Sequence, residues 1–337
     1  MYSFYERMFA NICYLTCVII HSFPCLVKWK QSKCIRFFRR FRKARETNSS
    51  AALAIRARAI YNEADQSPAD RARKGACLSS MIFEISRIIR EAGRMMLSFH
   101  NAPSHRKEGH CNFVTDADIA VQGFLRQSLL SLLPGSRFFA EEQENEKLTG
   151  APTFVVDPID GTMNFMRSRS ASAVSVALLK DKKPVLGAVY NPYADELFTA
   201  EAGKGAFLNG ETIRVSDTAF DTALVTFGTS PYDSELAKKT LRAAERFLLE
   251  AGDLRRSGSA ALDLCDVACG RTDVFYELRL RPWDVAAGSL LVSEAGGTFV
   301  SLGKDAPYYD GPCGILAANG HCLARALEIV GSACKDK

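Results

Sequence analysis

The sequence lacks the paired spacing of cysteine or histidine residues that structural metal sites require. Its eleven cysteines are scattered and odd in number, which favours a reducing compartment over a disulfide scaffold. Cys265 and Cys269 are four residues apart on a predicted helix, where small buried hydrophobic side chains are the common case. Three histidines share the polar segment 100–112. We interpret them as solvated loop residues, because imidazole is not a favoured ligand of hard cations.

No serine or cysteine nucleophile stands in a recognisable arrangement with a histidine, which disfavours covalent catalysis. Acidic residues are scarce at the start of the chain. Residues 1–50 hold ten Lys/Arg and two Asp/Glu, so residues 51–337 carry −3 within a total of +5. This mildly acidic body argues against nucleic-acid binding by the body itself. A chain of 337 residues with 47% apolar content can bury a core as one large domain or two fused subdomains.

Residues 8–27 carry no formal charge, and their length suffices for one membrane-spanning helix. Pro24 and several polar residues weaken that interpretation. Nine Lys/Arg follow in 28–45, and beside a spanning segment they would keep the rest of the chain cytoplasmic. Three interpretations stay open: a signal anchor, a cleaved targeting segment, and upstream sequence outside the working protein. Secretion is the weakest interpretation, because the segment shows no small-residue cleavage site. We therefore separate an N-terminal extension and linker, 1–75, from a main domain, 76–331.

Hydrophobic periodicity predicts a mixed α/β protein. A buried strand over 153–156 introduces a β-rich stretch, and helices and strands alternate from Ser234 onward. Asn209-Gly210 predicts a tight hairpin. The predicted helices are 79–99, 117–133, 234–250, 259–269 and 284–295, and the further predicted strands are 138–141, 173–179, 185–190, 196–200, 212–215 and 274–276.

The most informative feature is the hexapeptide Asp157-Pro158-Ile159-Asp160-Gly161-Thr162, which directly follows the buried strand. A turn set by Pro158 and Gly161 can aim both carboxylates and the Ile159 carbonyl at one point. The N–H groups of Gly161 and Thr162 would then face an anion. Hard oxygen ligands beside such N–H groups suit Mg²⁺ and a phosphate ester. An Asx-rich surface turn is the alternative, and the hexapeptide alone leaves it open.

Further motifs make the chain similar to the inositol monophosphatase family, Mg²⁺-dependent and lithium-sensitive phosphatases of small phosphate monoesters. The blocks that carry the resemblance, in the family's order, are Val114-Thr115-Asp116-Ala117-Asp118, Glu141-Glu142, Asp157 to Phe165, Gly258-Ser259-Ala260-Ala261-Leu262-Asp263 and Trp283-Asp284-Val285-Ala286-Ala287-Gly288. The resemblance covers roughly residues 76–331, which would be the catalytic domain. It implies a layered αβαβα sandwich of the inositol monophosphatase and sugar phosphatase type, a cytoplasmic phosphoric monoester hydrolase and a homodimer.

The resemblance also implies a metal site with two or three Mg²⁺ ions. Glu141, Asp157 and the Ile159 carbonyl would hold the first ion, and Asp157, Asp160 and Asp284 the second. Such a pair of ions neutralises the phosphoryl oxygens and lowers the pKa of a bound water, which then attacks phosphorus in line.

The resemblance also implies roles for other residues. Asp118 and Thr162, with Glu141, would form the catalytic set that orients and deprotonates the water; a charge at a helix N-terminus is a second interpretation of Asp118. Glu277 would bond substrate hydroxyls, although a cross-strand ion pair explains it equally well. The implied substrate-binding residues are Asp160, Gly161, Thr162, Gly258, Ser259, Ala260, Glu277 and Asp284.

Two departures from the family pattern bear on substrate choice. Ala140 replaces a usual glycine, and Ser168-Arg169-Ser170 replaces a frequent Gly-x-Pro turn. Asn164-Phe165 is not typical of the nucleotidase branch. Inositol 1-phosphate is the first expectation, and the alternatives are fructose-1,6-bisphosphatase, histidinol-phosphatase and 3′,5′-bisphosphate nucleotidase activity. A regulatory protein that contacts RNA or polymerase through residues 28–45 is the alternative from another class.

Overall fold

A computed structural model describes residues 68–99, 104–106, 113–231, 233–302, 309 and 311–335. The apolar segment 8–27 and the basic run that follows it lie outside the described residues. Ala72–Lys337 forms one compact unit. Within the described ranges, no helix combines the length and the apolarity that a membrane span needs.

Seven α-helices and fourteen strands make up the described part of the chain. The helices are α1 Pro68–Ser98, α2 Asp116–Leu132, α3 Thr162–Met166, α4 Ser234–Glu250, α5 Ala260–Ala268, α6 Pro282–Glu294 and α7 Leu323–Lys335. The strands are β1 Ser104–Arg106, β2 Phe113–Thr115, β3 Arg137–Ala140, β4 Thr153–Asp160, β5 Ala173–Lys180, β6 Lys183–Asn191, β7 Glu196–Glu201, β8 Gly205–Leu208, β9 Glu211–Ile213, β10 Leu224–Phe227, β11 Asp253–Arg255, β12 Val274–Leu280, β13 Thr298–Leu302 and β14 Cys313–Ala318.

Two mixed sheets form the frame. The larger has the order β3-β4-β5-β6-β7-β8-β9 and the smaller β11-β10-β12-β14-β13. In the larger sheet only β3 and β4 pair in parallel, whereas β11, β10 and β12 are mutually parallel in the smaller one. The carboxyl ends of these three strands therefore share one edge of the smaller sheet.

Helices cover both faces of each sheet. One core lies between the larger sheet and α1 with α2, a second encloses α5 and α6 between the two sheets, and a third joins the smaller sheet to α4 and α7. The order of layers is αβαβα, as the resemblance implies. Every residue of β4 is buried because its strand is covered on both faces. The central helix α6 is apolar around nearly its whole circumference for the same reason.

Most predicted elements are confirmed to within a few residues. The Asn209-Gly210 hairpin is confirmed too, since both residues have positive φ, 50° and 89°, between β8 and β9. Three expectations are wrong. Helix α1 begins at Pro68, inside the predicted linker. The predicted loop 100–112 contributes β1, which pairs with β2. Helix α6 is confirmed, although it begins two residues before Asp284, at Pro282, because proline suits a first helical turn.

The third wrong expectation is the turn predicted within the hexapeptide. The chain does not turn after Val156, because β4 continues through Asp160. Its pairing with β5 shifts register between Asp157 and Asp160, and a bulge of this kind accommodates Pro158, which has no N–H to donate to the ladder. Residues 157–160 are all buried and Gly161 and Thr162 are half-buried, so the hexapeptide is not a surface turn.

Candidate metal and phosphate site

Three carboxylates converge where β4 ends and α6 begins. Asp157, Asp160 and Asp284 each place a carboxylate oxygen within 4.8 Å of the other two. The bulge in β4 brings its two aspartates to one side, although they are three residues apart. Asp284 occupies the third position of α6, where its Oδ2 accepts the Arg281 backbone N–H at 2.7 Å. This capping contact fixes the carboxylate at the helix N-terminus.

Burial and mutual repulsion make the ionised forms of these acids costly. Burial is the main cause that raises the pKa of Asp157 well above its usual range, and the charges of Glu141 and Asp160 raise it further. Burial likewise raises the pKa of Asp284, with added repulsion from Asp160 and Glu141. The pKa of Asp160 is raised by burial, against which its hydrogen bond from Ser259 acts. A cation among these groups would remove both penalties.

Glu141 and Asp118 reach the same region from two other elements. Glu141 follows β3, which pairs in parallel with β4, and its charge acts on Asp157. Asp118 is fully buried in the first turn of α2. Its Oδ2 accepts the Thr115 hydroxyl at 2.5 Å and the Thr115 N–H at 2.7 Å. Both interpretations of Asp118 are thus compatible, because a capping residue also lies close enough to affect the pKa of Asp157.

Gly161 makes the sharp connection from β4 to α3. Its φ is +86°, a conformation that residues with a side chain rarely adopt. A Cβ there would approach the carbonyl oxygens of Ala171 and Gly258 to 3.0 and 3.2 Å. Thr162 begins α3, and its hydroxyl donates to the Ile159 carbonyl at 3.2 Å. Gly161 is therefore required for both geometry and space.

The N-terminus of α5 faces Asp160. The Ser259 hydroxyl and the Ala261 N–H donate to Asp160 Oδ2 at 2.5 and 2.7 Å, while Ser259 also caps α5 by accepting the Leu262 N–H. Gly258 precedes the cap with φ +94°. Gly258, Ser259 and Ala260 therefore lie beside the carboxylate cluster, where N–H groups and the helix dipole favour anions.

Glu277 lies in the middle of β12, next to Tyr276, which pairs with the last residue of the neighbouring strand β10. It accepts hydrogen bonds from the Ser230 N–H at 3.2 Å and the Ser230 hydroxyl at 3.1 Å. Among the described residues no lysine or arginine lies within ion-pair distance of it, so the structure does not contain the cross-strand ion pair. Burial raises its pKa to about 7. Gly228 makes room for this carboxylate, because a Cβ there would overlap it.

Sequence reasoning missed the residues that connect these parts. Asn164 Nδ2 donates to the Ala171 and Ser257 carbonyls at 2.7 and 3.0 Å, which joins α3 to the segment before α5. Ser257 donates in turn to buried Asp263 at 2.7 Å. Asn164 and Asp263 stand inside the quoted motifs, and that position was the available signal. Gly228 and Ser230 had no such signal.

The residues present fit a hard divalent cation. The donors are carboxylate oxygens, the Ile159 carbonyl lies in the same bulge, and the buried charges repel one another until a cation compensates them. Mg²⁺ prefers oxygen donors of this kind. The structure thus supplies an acidic cluster that suits a metal ion.

A layered αβαβα fold with such a cluster beside a helix N-terminus defines a hydrolase of phosphate monoesters, and comparison with known proteins specifies the family. The model of the inositol monophosphatase family matches residues 77–333. Inositol monophosphatase 2 of Solanum lycopersicum is 44% identical over 208 residues, which cover 59% of this chain and 78% of the relative. Nus factor SuhB of Xylella fastidiosa is 36% identical over 237 residues, 67% of this chain and 85% of the relative.

Among solved structures, the extragenic suppressor protein suhB from Bartonella henselae superposes with a TM-score of 0.68 at 32% identity, covering 77% of this chain and 100% of that one. The chain belongs to the inositol monophosphatase family. It is a phosphoric monoester hydrolase. The expected family, fold class and enzyme class are thereby confirmed.

Proposed function

We propose that the protein hydrolyses inositol 1-phosphate to inositol and inorganic phosphate in the presence of Mg²⁺. The observation that supports this proposal best is the convergence of Asp157, Asp160 and Asp284 within 4.8 Å, next to the N-terminus of α5. The name of the Solanum lycopersicum relative, inositol monophosphatase 2, supports the choice of alcohol.

Two or three Mg²⁺ ions belong to the proposal. Glu141, Asp157 and the Ile159 carbonyl would hold the first, and Asp157, Asp160 and Asp284 the second. When bound, the ions would neutralise phosphoryl oxygens and lower the pKa of a water molecule.

The remaining roles fall to groups of the chain itself. Asp118 would accept a proton from the attacking water, with the Thr162 hydroxyl orienting that water. The Thr115 hydroxyl and N–H hold the Asp118 carboxylate in one rotamer. Capping and catalysis are compatible roles for one carboxylate.

The substrate would be held at its two ends. The N–H groups of Gly161 and Thr162 would bind the phosphate, because N–H groups at turns attract anions. Gly258, Ser259 and Ala260 would face the substrate as the N-terminal end of α5. Glu277, Asp160 and Asp284 would accept hydrogen bonds from the alcohol's hydroxyls. Attack opposite the ester oxygen then yields phosphate and the free alcohol.

The test is phosphate release by the full chain, measured with and without Mg²⁺. The substrate panel contains inositol 1-phosphate, fructose 1,6-bisphosphate, histidinol phosphate and adenosine 3′,5′-bisphosphate. We expect Mg²⁺-dependent turnover with inositol 1-phosphate among the best substrates, inhibition by lithium, and a dimer by light scattering. Turnover that needs no divalent cation would refute the metal assignment, and absence of turnover on every substrate would refute the proposal.

A second candidate function has its own observation, the match to a relative named Nus factor SuhB. A protein of that kind would contact RNA or polymerase, and the basic residues 28–45 would take part. RNA binding that weakens steeply with salt and disappears when residues 1–50 are removed would support this candidate. Equal binding by the shortened chain would exclude the basic segment as the contact.

A further inference from the structure

Two neighbouring arginines at the end of β11 differ in their partners. Arg255 Nη1 lies 2.5 Å from Oδ2 of Asp253, so its charge is compensated. Arg256 is exposed, and its Nη2 lies 3.4 Å from the Thr229 hydroxyl oxygen. In the part of the chain that the structure describes, no carboxylate lies within ion-pair distance of the Arg256 guanidinium. Its positive charge is therefore available to an anion from solution.

Arg256 borders the proposed phosphate site. Its Nη1 would be 2.6 Å from a Cβ added at Gly258, so the guanidinium lies directly beside that glycine. The Gly258 carbonyl in turn lies 3.2 Å from the Cβ position of Gly161. On its other side, Arg256 acts on Glu277: burial raises the pKa of Glu277, and the positive charge of Arg256 works against that rise. The guanidinium thus lies between the phosphate end and the alcohol end of the proposed substrate site.

The fold places this arginine at the edge where ligands usually bind in open α/β sheets. Thr229 follows β10 and Arg256 follows β11, and both strands run parallel to β12, which carries Glu277. Loops at the carboxyl ends of parallel strands meet at one edge of the sheet. Arg256 and Thr229 therefore face the same opening as Glu277.

The backbone that carries Arg256 is held on both sides. The next residue, Ser257, donates from its hydroxyl to buried Asp263 at 2.7 Å, and its carbonyl accepts from buried Asn164 at 3.0 Å. Because these partners come from α5 and α3, the start of the Arg256 side chain is fixed, while its exposed end can adjust to a ligand. Such preorganisation lowers the entropy lost on binding.

We propose that Arg256, with the Thr229 hydroxyl, forms a subsite for a second phosphate group on the alcohol part of the substrate. The inference rests on the proposed phosphatase function and extends its substrates from inositol 1-phosphate to monoesters that carry another phosphate. A guanidinium binds phosphate through two parallel N–H···O bonds. The guanidinium of Arg256, whose charge is not compensated by a carboxylate of the described residues, would provide these two bonds on the alcohol side of the site.

The test compares substrates that differ only by the second phosphate. The pairs are inositol 1,4-bisphosphate with inositol 1-phosphate, and fructose 1,6-bisphosphate with fructose 1-phosphate. The full chain is assayed with Mg²⁺ as wild type, Arg256→Gln, Arg256→Lys and the matched control Arg255→Gln. The readout is the ratio of kcat/KM within each pair, which does not depend on how much of a preparation is folded.

We expect the wild type to prefer the doubly phosphorylated member of at least one pair. Arg256→Gln should lower that ratio by roughly tenfold or more, as loss of a charge-assisted contact predicts, mainly through KM. Arg256→Lys should retain part of the preference, and Arg255→Gln should retain the wild-type ratio.

Three results would overturn the subsite. One is a wild type that prefers the singly phosphorylated member in both pairs. Another is a loss in Arg256→Gln that is equal for both members, which would mean contact with the phosphate that is cleaved. A third is an unchanged ratio with a changed elution volume, which would make Arg256 a contact between copies of the chain. Absence of turnover on all four substrates would instead refute the proposed function, and phosphate protection of Arg256 from arginine-specific modification would then decide the subsite.

Discussion

The hydroxyl of Ser259 lies 2.5 Å from Oδ2 of Asp160, although the two residues are 99 positions apart in the chain. The same Oδ2 accepts the Ala261 N–H at 2.7 Å. Asp160 is therefore held by the first turn of α5 while it belongs to the carboxylate cluster. This contact connects the larger sheet to the helix whose N–H groups would bind phosphate.

The first prediction concerns this contact. Ser259→Ala removes both the cap of α5 and the hydrogen bond to Asp160, so the free energy of unfolding should fall by about 1–2 kcal/mol. The Mg²⁺ concentration for half-maximal activity should rise, because Asp160 becomes less well oriented. Ser259→Thr keeps the hydroxyl and serves as the control. If Ser259→Ala and the wild type need the same Mg²⁺ concentration for half-maximal activity, the Ser259 hydroxyl caps α5 but does not support the proposed metal site.

The second prediction is that removing a charge from the carboxylate cluster lowers the phosphatase activity but raises the stability of the metal-free protein. Asp157→Asn and Asp284→Asn should each reduce phosphate release by at least about a hundredfold, since each removes the charge of a proposed metal ligand. In EDTA the same substitutions should raise the melting temperature, because they relieve repulsion among buried acids. Asp217→Asn, an exposed change with a side chain 97% accessible, is the control for both measurements. Retained turnover in both variants would remove the metal assignment.

The third prediction follows from the pKa of Glu277. Burial raises that pKa from 4.5 to about 7, so between these values the folded protein binds a proton that the unfolded chain does not. The free energy of unfolding of the metal-free protein should therefore fall as pH rises from about 4.5 to 7. A pKa unit corresponds to about 1.4 kcal/mol, so the effect should amount to a few kcal/mol.

Urea unfolding at several pH values in EDTA measures this slope. Glu277→Gln should flatten it, and the raised pKa values of Asp157 and Asp284 should account for the slope that remains. A wild-type stability that rises with pH across this interval would contradict the assignment of Glu277 as a buried acid with a raised pKa.

The fourth prediction separates conformation from space at Gly161. Gly161 and Gly135 have the same φ of +86°, but a Cβ at Gly135 would meet nothing within 4 Å. Both alanine variants should lose about 1 kcal/mol or more of stability from the backbone conformation. Only Gly161→Ala should also lose phosphatase activity, because its methyl group pushes Gly258 and Ala171 away. Equal activity in the two variants would show that the site tolerates displacement of this turn.

The sequence was sufficient to predict most helices and strands and most of the carboxylate cluster, because both depend on local patterns. Apolar spacing located α2 and α4, and the resemblance singled out all three clustered aspartates. It did not disclose that β4 continues through Asp160, because the bulge depends on pairing with β5, which is a long-range contact. Pro158 indicated a turn by local rules, and the tertiary pairing overrode them.

The residues that connect the site were harder to predict for the same reason. Ser230 binds Glu277 across a separation of 47 residues, and Arg256 gains its position from loops on two neighbouring strands. Neither relationship leaves a periodic or motif-like trace in the chain. The difference between Arg255 and Arg256, one paired and one available, follows only from the direction in which each side chain leaves β11.

The enclosed position of α6 has a mechanical consequence. Asp284 lies in the first turn of the helix that both sheets enclose, whereas Asp157 and Asp160 belong to the larger sheet alone. An ion shared by these residues would fasten the middle helix layer to the larger sheet, so its binding would resist any motion that separates these two layers. Slower backbone amide exchange in α6 and β4 on loading with Mg²⁺ is the signature of that clamp, since exchange there requires the layers to open.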